Sequence, residues 1–131
     1  MNITYLAGLF DGEGTITLTR RTSSDLYRSP TLSLTSTSKI LVDVMQQHFG
    51  GWIVSKKTYK EHHKEAWSWY VNGDKAINAC TQLESHILEP KKRSRMLLII
   101  NEYKSVTPRN GKYTEQAKLL KERFEAKFFE L

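Results

Sequence analysis

The order of sequence patterns predicts an α+β domain in which helices cover one face of an antiparallel sheet. Two pairs of segments alternate with period two, as β-hairpins do, and a segment with helical spacing separates them. Helical patterns also begin and end the chain. With 131 residues, 39% of them apolar and 26% charged, we expect one globular domain over residues 1–131.

The first helix and hairpin come from the N-terminal third of the chain. Apolar residues at helical spacing predict a helix over residues 1–12, with Gly12 and Gly14 as its stop signals. From Thr15 the period changes to two, and a second alternating run covers residues 26–37 after a turn rich in Ser and Asp.

The second helix and hairpin repeat this order. Ser38 is the predicted N-cap of a helix that the glycine pair 50–51 ends. Aromatic and β-branched residues predict strands over residues 52–60 and 65–72, joined by a charged turn that contains two histidines.

The rest of the chain is predicted to be helical in three pieces, broken near Pro90 and across residues 107–111. In the last piece an apolar stripe follows steps of three and four residues, which is typical of a helix packed on a core. The stripe consists of Ala117, Leu120, Phe124 and Phe128. An exposed stripe that binds a partner is the alternative.

Charge and composition narrow the class of protein. Twenty Lys and Arg against fourteen Asp and Glu give a net charge of +6, which indicates a polyanionic partner. The single cysteine, Cys80, cannot pair within the chain and favours an intracellular, reducing compartment. No apolar stretch is long enough for a membrane span, so no membrane partner is expected.

Hydroxyl side chains dominate one predicted sheet face. Between residues 15 and 38, 13 of 24 positions are Ser or Thr, and alternation puts most of them opposite the apolar side chains. A two-stranded ribbon with such a face fits the DNA major groove, although hydroxyls are also ordinary on the wet side of a sheet. The predicted DNA contacts are Thr17, Thr19, Arg21, Arg28, Ser29, Thr31, Ser33, Thr35, Lys56, Lys57, Ser68 and Tyr70.

The contacts at residues 68 and 70 require Trp67 and Trp69 to face inward. In the alternative arrangement the paired tryptophans stack on bases.

The most specific segment is Leu6–Gly14, which combines small residues, glycines and two acids at fixed spacing. Ala7 and Gly8 would let a second helix pack closely. Asp11 and Glu13 come where the helix should end, and their hard oxygens suit Mg²⁺. Taken singly, each acid is more often a cap or a surface charge.

Together these residues resemble the signature of the LAGLIDADG homing endonucleases. The resemblance is specific over residues 5–14, with Phe10 and the pair 12–13 departing from the letters of the family name. It implies an αββαββα core whose strands form a saddle on the DNA major groove, followed here by extra C-terminal helices. One motif in the chain implies a homodimer, and its predicted interface consists of Leu6, Ala7, Gly8, Phe10 and Asp11.

The resemblance also implies metal-assisted hydrolysis of both strands of a long, near-palindromic DNA site, leaving 3′ overhangs. It assigns Glu13 to the divalent metal, expected to be Mg²⁺, with Mn²⁺ or Ca²⁺ able to replace it in binding. Asp11 is expected to brace the helix ends. Ser38 corresponds to a polar position that orders water, although the N-cap role fits it equally. Lys91 best fits a basic residue of the solvent network, with the two basic residues after it as alternatives.

A non-cleaving nucleic-acid binder on the same fold is the competing hypothesis, either an intron RNA splicing cofactor or a DNA-binding regulator. RNA is a partner only in this alternative. The presence of Glu13 argues against it, whereas a serine at position 38, a weaker water organiser, keeps it open. A generic basic interaction domain is a third, weaker option.

Overall fold

The computed structural model describes residues 2–56 and 65–131 and confirms the α+β class. The order of elements is α1 (Ile3–Glu13), β1 (Gly14–Thr19), β2 (Ser29–Ser36), α2 (Lys39–Phe49), β3 (Trp52–Lys56), β4 (Ala66–Asn72), α3 (Gly73–Leu83), α4 (Pro90–Leu98) and α5 (Glu115–Glu130). A π-helical turn, Ile99–Tyr103, extends α4. Within the described ranges no helix is both long and apolar enough to cross a membrane.

The four strands form one antiparallel sheet in the order β1-β2-β4-β3. Ile16, Leu32 and Val71 lie opposite one another on the face that the helices cover, and all three are buried. Trp69 lies on the same face without exposed surface, and its indole N–H donates to the carbonyl of Gly50 at 2.8 Å. The inward orientation predicted for both tryptophans is confirmed, since Trp67 shares this face and packs against the core.

Helix α1 begins at an Asn2 cap and passes through Gly12 without a break, ending at Glu13. Gly12 is therefore not the predicted stop signal. The other predicted stop signal, Gly14, does end the helix, because the chain adopts an extended conformation there and enters β1 at once. A side chain at position 14 would collide with the Phe10 ring, 2.2 Å from an added Cβ, so the sharp junction requires glycine.

The predicted core stripe of α5 is wrong at one position. Phe124 and Phe128 are buried, but Leu120 is 43% exposed and Lys121 is buried instead. The helix is rotated so that residues 121, 124, 125 and 128 face inward. Lys121 is accommodated there because its ammonium lies over the Tyr103 ring and donates to the hydroxyl of Thr107.

Candidate active site and nucleic-acid interface

Glu13 is the last residue of α1 and lies at the end of the sheet where β1 begins. Its side chain is exposed, and among the described residues its carboxylate makes no hydrogen bond or ion pair. The rigid helix fixes its position, whereas no residue in the described ranges neutralises its charge. This leaves a free carboxylate that can bind a cation.

Asp11 and Lys92 join the end of α1 to the start of α4. The Asp11 carboxylate accepts hydrogen bonds from the backbone N–H groups of Leu88 and Glu89, at 2.8 and 3.1 Å. The Lys92 ammonium donates to the carbonyl oxygens of Phe10 and Asp11 in the last turn of α1, and the Phe10 carbonyl also accepts the N–H of Gly14. The contacts of Asp11 agree with the bracing role expected for it, and Lys92 is a bracing residue that sequence reasoning did not assign.

Lys91 lies in the first turn of α4. The carboxylate of Glu89 caps this helix by accepting from the N–H groups of Lys91 and Lys92, and these bonds hold the pKa of Glu89 below its usual range. A cleft of about 270 Å³ is lined by Lys91, Gly14 and Arg95 among others. Because Gly14 adjoins Glu13, the predicted basic residue and the predicted metal ligand border the same region.

Ser38 lies at this end of the sheet as well. Gly14 pairs with Leu34, so the chain leaves β2 beside the end of α1. Ser38 occupies the N-cap position of α2, but its hydroxyl makes no capping hydrogen bond, and its own N–H donates to Ser36 at 2.9 Å. The predicted capping bond is therefore wrong, while the exposed hydroxyl stays available to order water.

The donor set at Glu13 fits a hard divalent cation. A carboxylate oxygen is a hard ligand, and the last carbonyl oxygens of a helix are acceptors directed off its end. Mg²⁺ commonly uses one or two carboxylates and completes its shell with water and phosphate oxygens. Residues 2–56 and 65–131 contain no cluster of three or more His, Cys, Asp or Glu side chains that could hold a metal ion. One chain therefore offers part of a coordination shell, as expected for a cation shared with a phosphate.

The register places most of the predicted DNA contacts on the sheet face opposite the helices. Cross-strand pairs on this open face link β1 to β2, β2 to β4 and β4 to β3 in turn. Its members include Thr17, Thr19, Ser29, Thr31, Ser33, Thr35, Lys56, Ser68 and Tyr70. The open face thus carries hydroxyls across three strands and Lys56 on the fourth.

Several of these hydroxyls bond to one another. Thr19 and Thr31 are joined at 2.6 Å, and so are Thr35 and Ser68. Ser68 has no exposed surface and Thr31 only 6%, because both are short side chains on the two central strands between larger neighbours. These two predicted contacts are corrected to supporting positions, which orient Thr19 and Thr35.

The predicted basic contacts differ in their availability. Arg21 is exposed, and its guanidinium lies against Gly73. Arg28 instead binds Glu125 of α5 through both its N–H and its guanidinium, at 3.0 Å each, so it anchors the C-terminal helix to the hairpin. Lys57 lies outside the described residues.

Sequence reasoning missed Trp52 and Asn72. Trp52 is 44% exposed on the open face, and its ring stacks on Tyr70 with centroids 5.7 Å apart. Asn72 lies opposite Thr31 on the same face. Adjacent apolar residues at the start of β3 concealed its alternation, but the inward placement of Trp69, which pairs with Ile53, would have identified Trp52 as outward.

The predicted dimer interface requires correction. Leu6, Ala7 and Phe10 have no exposed surface because they pack into the core of their own chain. The exposed face of α1 carries Gly8 and Gly12, and a Cβ at either glycine would meet nothing within 4 Å. Tyr5 and Leu9 flank them at helical spacing, so a partner helix could approach closely only on this face.

The sequence of this chain matches the family model of the LAGLIDADG-like domain over residues 1–107. Among curated proteins no sequence matches.

Solved structures of similar fold are homing endonucleases. The archaeal intron-encoded I-Vdi141I, complexed with DNA, superposes with a TM-score of 0.71 at 15% identity, over 98% of this chain and 82% of that one. I-CvuI, in complex with its target in the presence of calcium, superposes with a TM-score of 0.67 at 17% identity, over 95% of this chain and 80% of that one. I-SmaMI, bound to uncleaved DNA with calcium, superposes with a TM-score of 0.68 at 16% identity, over 99% of this chain and 45% of that one. These likenesses show the fold, and the family match covers most of the sequence: the chain belongs to the LAGLIDADG-like domain family.

Proposed function

We propose that this chain is a metal-dependent, site-specific double-strand DNA endonuclease. The observation that carries the proposal is Glu13, an exposed carboxylate on a braced helix end beside a basic cleft, with no partner among the described residues. A surface acid at that position would need no such bracing. The DNA complexes of the three structural relatives support the choice of substrate, and the calcium in two of them supports a divalent cation.

Each residue at this end then has a separate task. Glu13 would hold the cation, expected to be Mg²⁺, which would supply an activated water and stabilise the charge that develops on phosphate. The exposed ammonium of Lys91 attracts the phosphate oxygens. Asp11 and Lys92 hold α1 and α4 together, so that the Glu13 carboxylate and the Lys91 ammonium keep their separation.

Two copies of the chain are needed to cut both strands, because each contributes one Glu13. A two-fold axis along the glycine face of α1 would bring the ends of the two helices together, and the glycine backbone at positions 8 and 12 permits close contact. A symmetric dimer reads a near-palindromic site. The family resemblance adds cleavage across the minor groove with 3′ overhangs.

The function is tested by selecting cleaved sites from a randomised duplex pool with Mg²⁺, with and without a chelator. We expect a near-palindromic site that Glu13→Gln binds but does not cut. Glu130→Gln, which changes an exposed carboxylate at the far end of α5, serves as the control and should cut normally. Wild-type chain that binds a defined duplex without cutting it would favour the non-cleaving binder, and cleavage by Glu13→Gln at the wild-type rate would refute the assignment.

The dimer is tested by Gly8→Leu. Space at this position is open in the single chain, and replacing a helical glycine favours the helix by roughly 0.5–1 kcal/mol. We therefore expect an intact or more stable monomer that no longer sediments as a dimer or cuts both strands. Asn78→Leu places the same apolar side chain at an exposed position of α3 and should leave the dimer unchanged. A Gly8→Leu chain that is fully dimeric would exclude this interface.

A further inference from the structure

A second basic cavity, of about 560 Å³, lies at the opposite end of the sheet from Glu13. It is formed where the hairpin of β1 and β2 turns, where α3 begins and where α5 passes. Since β1 separates Glu13 from Arg21, the two regions are roughly 20 Å apart along the strand. Nothing in the proposed cleavage chemistry uses this cavity.

Lys121 is its most unusual lining residue. The side chain has no exposed surface, and its ammonium donates to the Thr107 hydroxyl at 2.6 Å and lies 4.1 Å from the centre of the Tyr103 ring. No described carboxylate lies within ion-pair distance of it. Glu125, one helical turn further along α5, binds Arg28 and acts on the Lys121 ammonium only at longer range, where its charge raises the pKa of Lys121 against the larger effect of burial. Burial lowers the pKa of Lys121 to about 8. A buried cation without an ion-pair partner among the described residues is costly to maintain, which favours a ligand-binding role over a structural one.

Three further groups are available to a ligand in the same cavity. Arg21 and Arg109 line it, and neither forms an ion pair with a described acid. Gly73, at the start of α3, has a φ of +62° and no side chain. A Cβ added there would lie 2.8 Å from the guanidinium of Arg21, so glycine at this position makes room for the arginine. The Ser29 hydroxyl is buried and has no hydrogen-bond partner in the part of the chain that the structure describes.

The carboxylates of the cavity do not cancel these charges. Its lining contains four cations and two acids, Asp25 and Asp74. The Asp25 carboxylate accepts from the N–H groups of Arg21 and Thr22 and so closes the hairpin turn. Asp74 is exposed at the start of α3. The interior, at Lys121 and Ser29, is therefore cationic and donor-rich.

We infer that this cavity binds a phosphate group, with the Lys121 ammonium, the guanidinium groups of Arg21 and Arg109 and the Ser29 hydroxyl as its donors. Cationic donors that come from three separate segments suit a multiply charged anion with several oxygens, and arginine forks match phosphate well. Arg21 also lines a cleft on the open sheet face together with Thr19 and Tyr70. The source we favour is a backbone phosphate of a duplex lying on that face, a choice that rests on the proposed DNA substrate. A free phosphate is the other source of the same chemistry.

The first arm of the test uses inorganic phosphate alone. We expect phosphate to raise the Tm of the wild-type chain above that in chloride at equal ionic strength, and Lys121→Met to lower phosphate affinity at least tenfold. Arg109→Gln, at an exposed wall position, should weaken binding without affecting folding. Lys104→Met, an exposed lysine outside the cavity, is the control and should bind as the wild type does.

The second arm uses a duplex without divalent metal, so that binding is measured apart from cleavage. For Lys121→Met and Arg109→Gln, the slope of log affinity against log salt should fall by about 1. Phosphate binding with an unchanged slope would support the site and reject the DNA backbone as its source. A chain that binds phosphate here but never cuts DNA would leave the site intact while removing the proposed function. Absence of phosphate binding together with unchanged slopes overturns the inference.

Discussion

The ammonium of Lys121 should give the stability of this protein an unusual dependence on pH. Its pKa is about 8 in the folded chain and 10.5 as an unperturbed lysine. Between these values the folded state has released the proton and the unfolded state still holds it. Since stability rises with pH wherever the unfolded state binds more protons, the free energy of unfolding should increase as pH rises from about 8.

The size of the effect follows from the shift. Each pH unit between the two pKa values adds about 1.4 kcal/mol to the free energy of unfolding. Lys121 alone should therefore contribute about 2 kcal/mol between pH 8 and pH 9.5. Burial raises the pKa of Tyr103 and of Tyr113 from the ordinary tyrosine value, which moves their ionisation further from this interval.

Urea unfolding of the wild type and of Lys121→Met at pH 7.5, 8.5 and 9.5 measures this contribution. The wild type should gain about 2 kcal/mol relative to the variant over this range, because background titrations are common to both chains. For Lys104→Met, which removes an exposed lysine, the curve of unfolding free energy against pH should run parallel to that of the wild type. If the Lys121→Met curve also runs parallel, the ammonium is not buried as described and the reasoning fails.

Three further predictions test the packing and the brace. Gly51→Ala should cost more than about 3 kcal/mol in urea unfolding, because φ is +88° and the new Cβ would lie 2.0 Å from a carbonyl oxygen of β4. Gly111→Ala, with φ +69° and open space, should cost only about 1 kcal/mol, and equal costs would exclude the clash. Glu125→Gln should destabilise by about 1–3 kcal/mol, with the loss cancelled in an Arg28→Met background. Asp11→Asn should slow cleavage at least tenfold while site binding persists, and full activity would contradict the bracing role.

Period-two alternation was sufficient to predict the sheet. It placed Ile16 and Leu32 on one face and Thr17 and Ser33 on the other, as the register shows. Alternation determines which face a side chain occupies because successive side chains point to opposite sides. It carries no information on cross-strand hydroxyl pairs, which depend on register, so the burial of Ser68 could not be anticipated.

The helices show two limits of the same kind. The predicted dimer interface combines neighbouring residues of α1 as if they formed one surface. A helix turns 100° per residue, however, so Leu6 and Phe10 point into the core while Gly8 points away. In α5, hydropathy selected Leu120 over Lys121 for the core. A lysine is buried there only because distant segments provide an aromatic ring and a hydroxyl, and such partners cannot be recognised from local spacing.

The polar contacts around Glu13 have a common feature that explains why the site can be both rigid and reactive. Asp11 and Glu89 accept from backbone N–H groups, while Lys92 and Arg95 donate to backbone carbonyls of α1 and β1. These bracing charges are directed at backbone groups near helix ends and on the edge strand β1, so they fix the elements without neutralising a neighbouring side chain. The Glu13 carboxylate is consequently held in place while its charge remains unpaired within the described chain. A site built from side-chain ion pairs could have been equally rigid, but it would have consumed the charge that a cation requires.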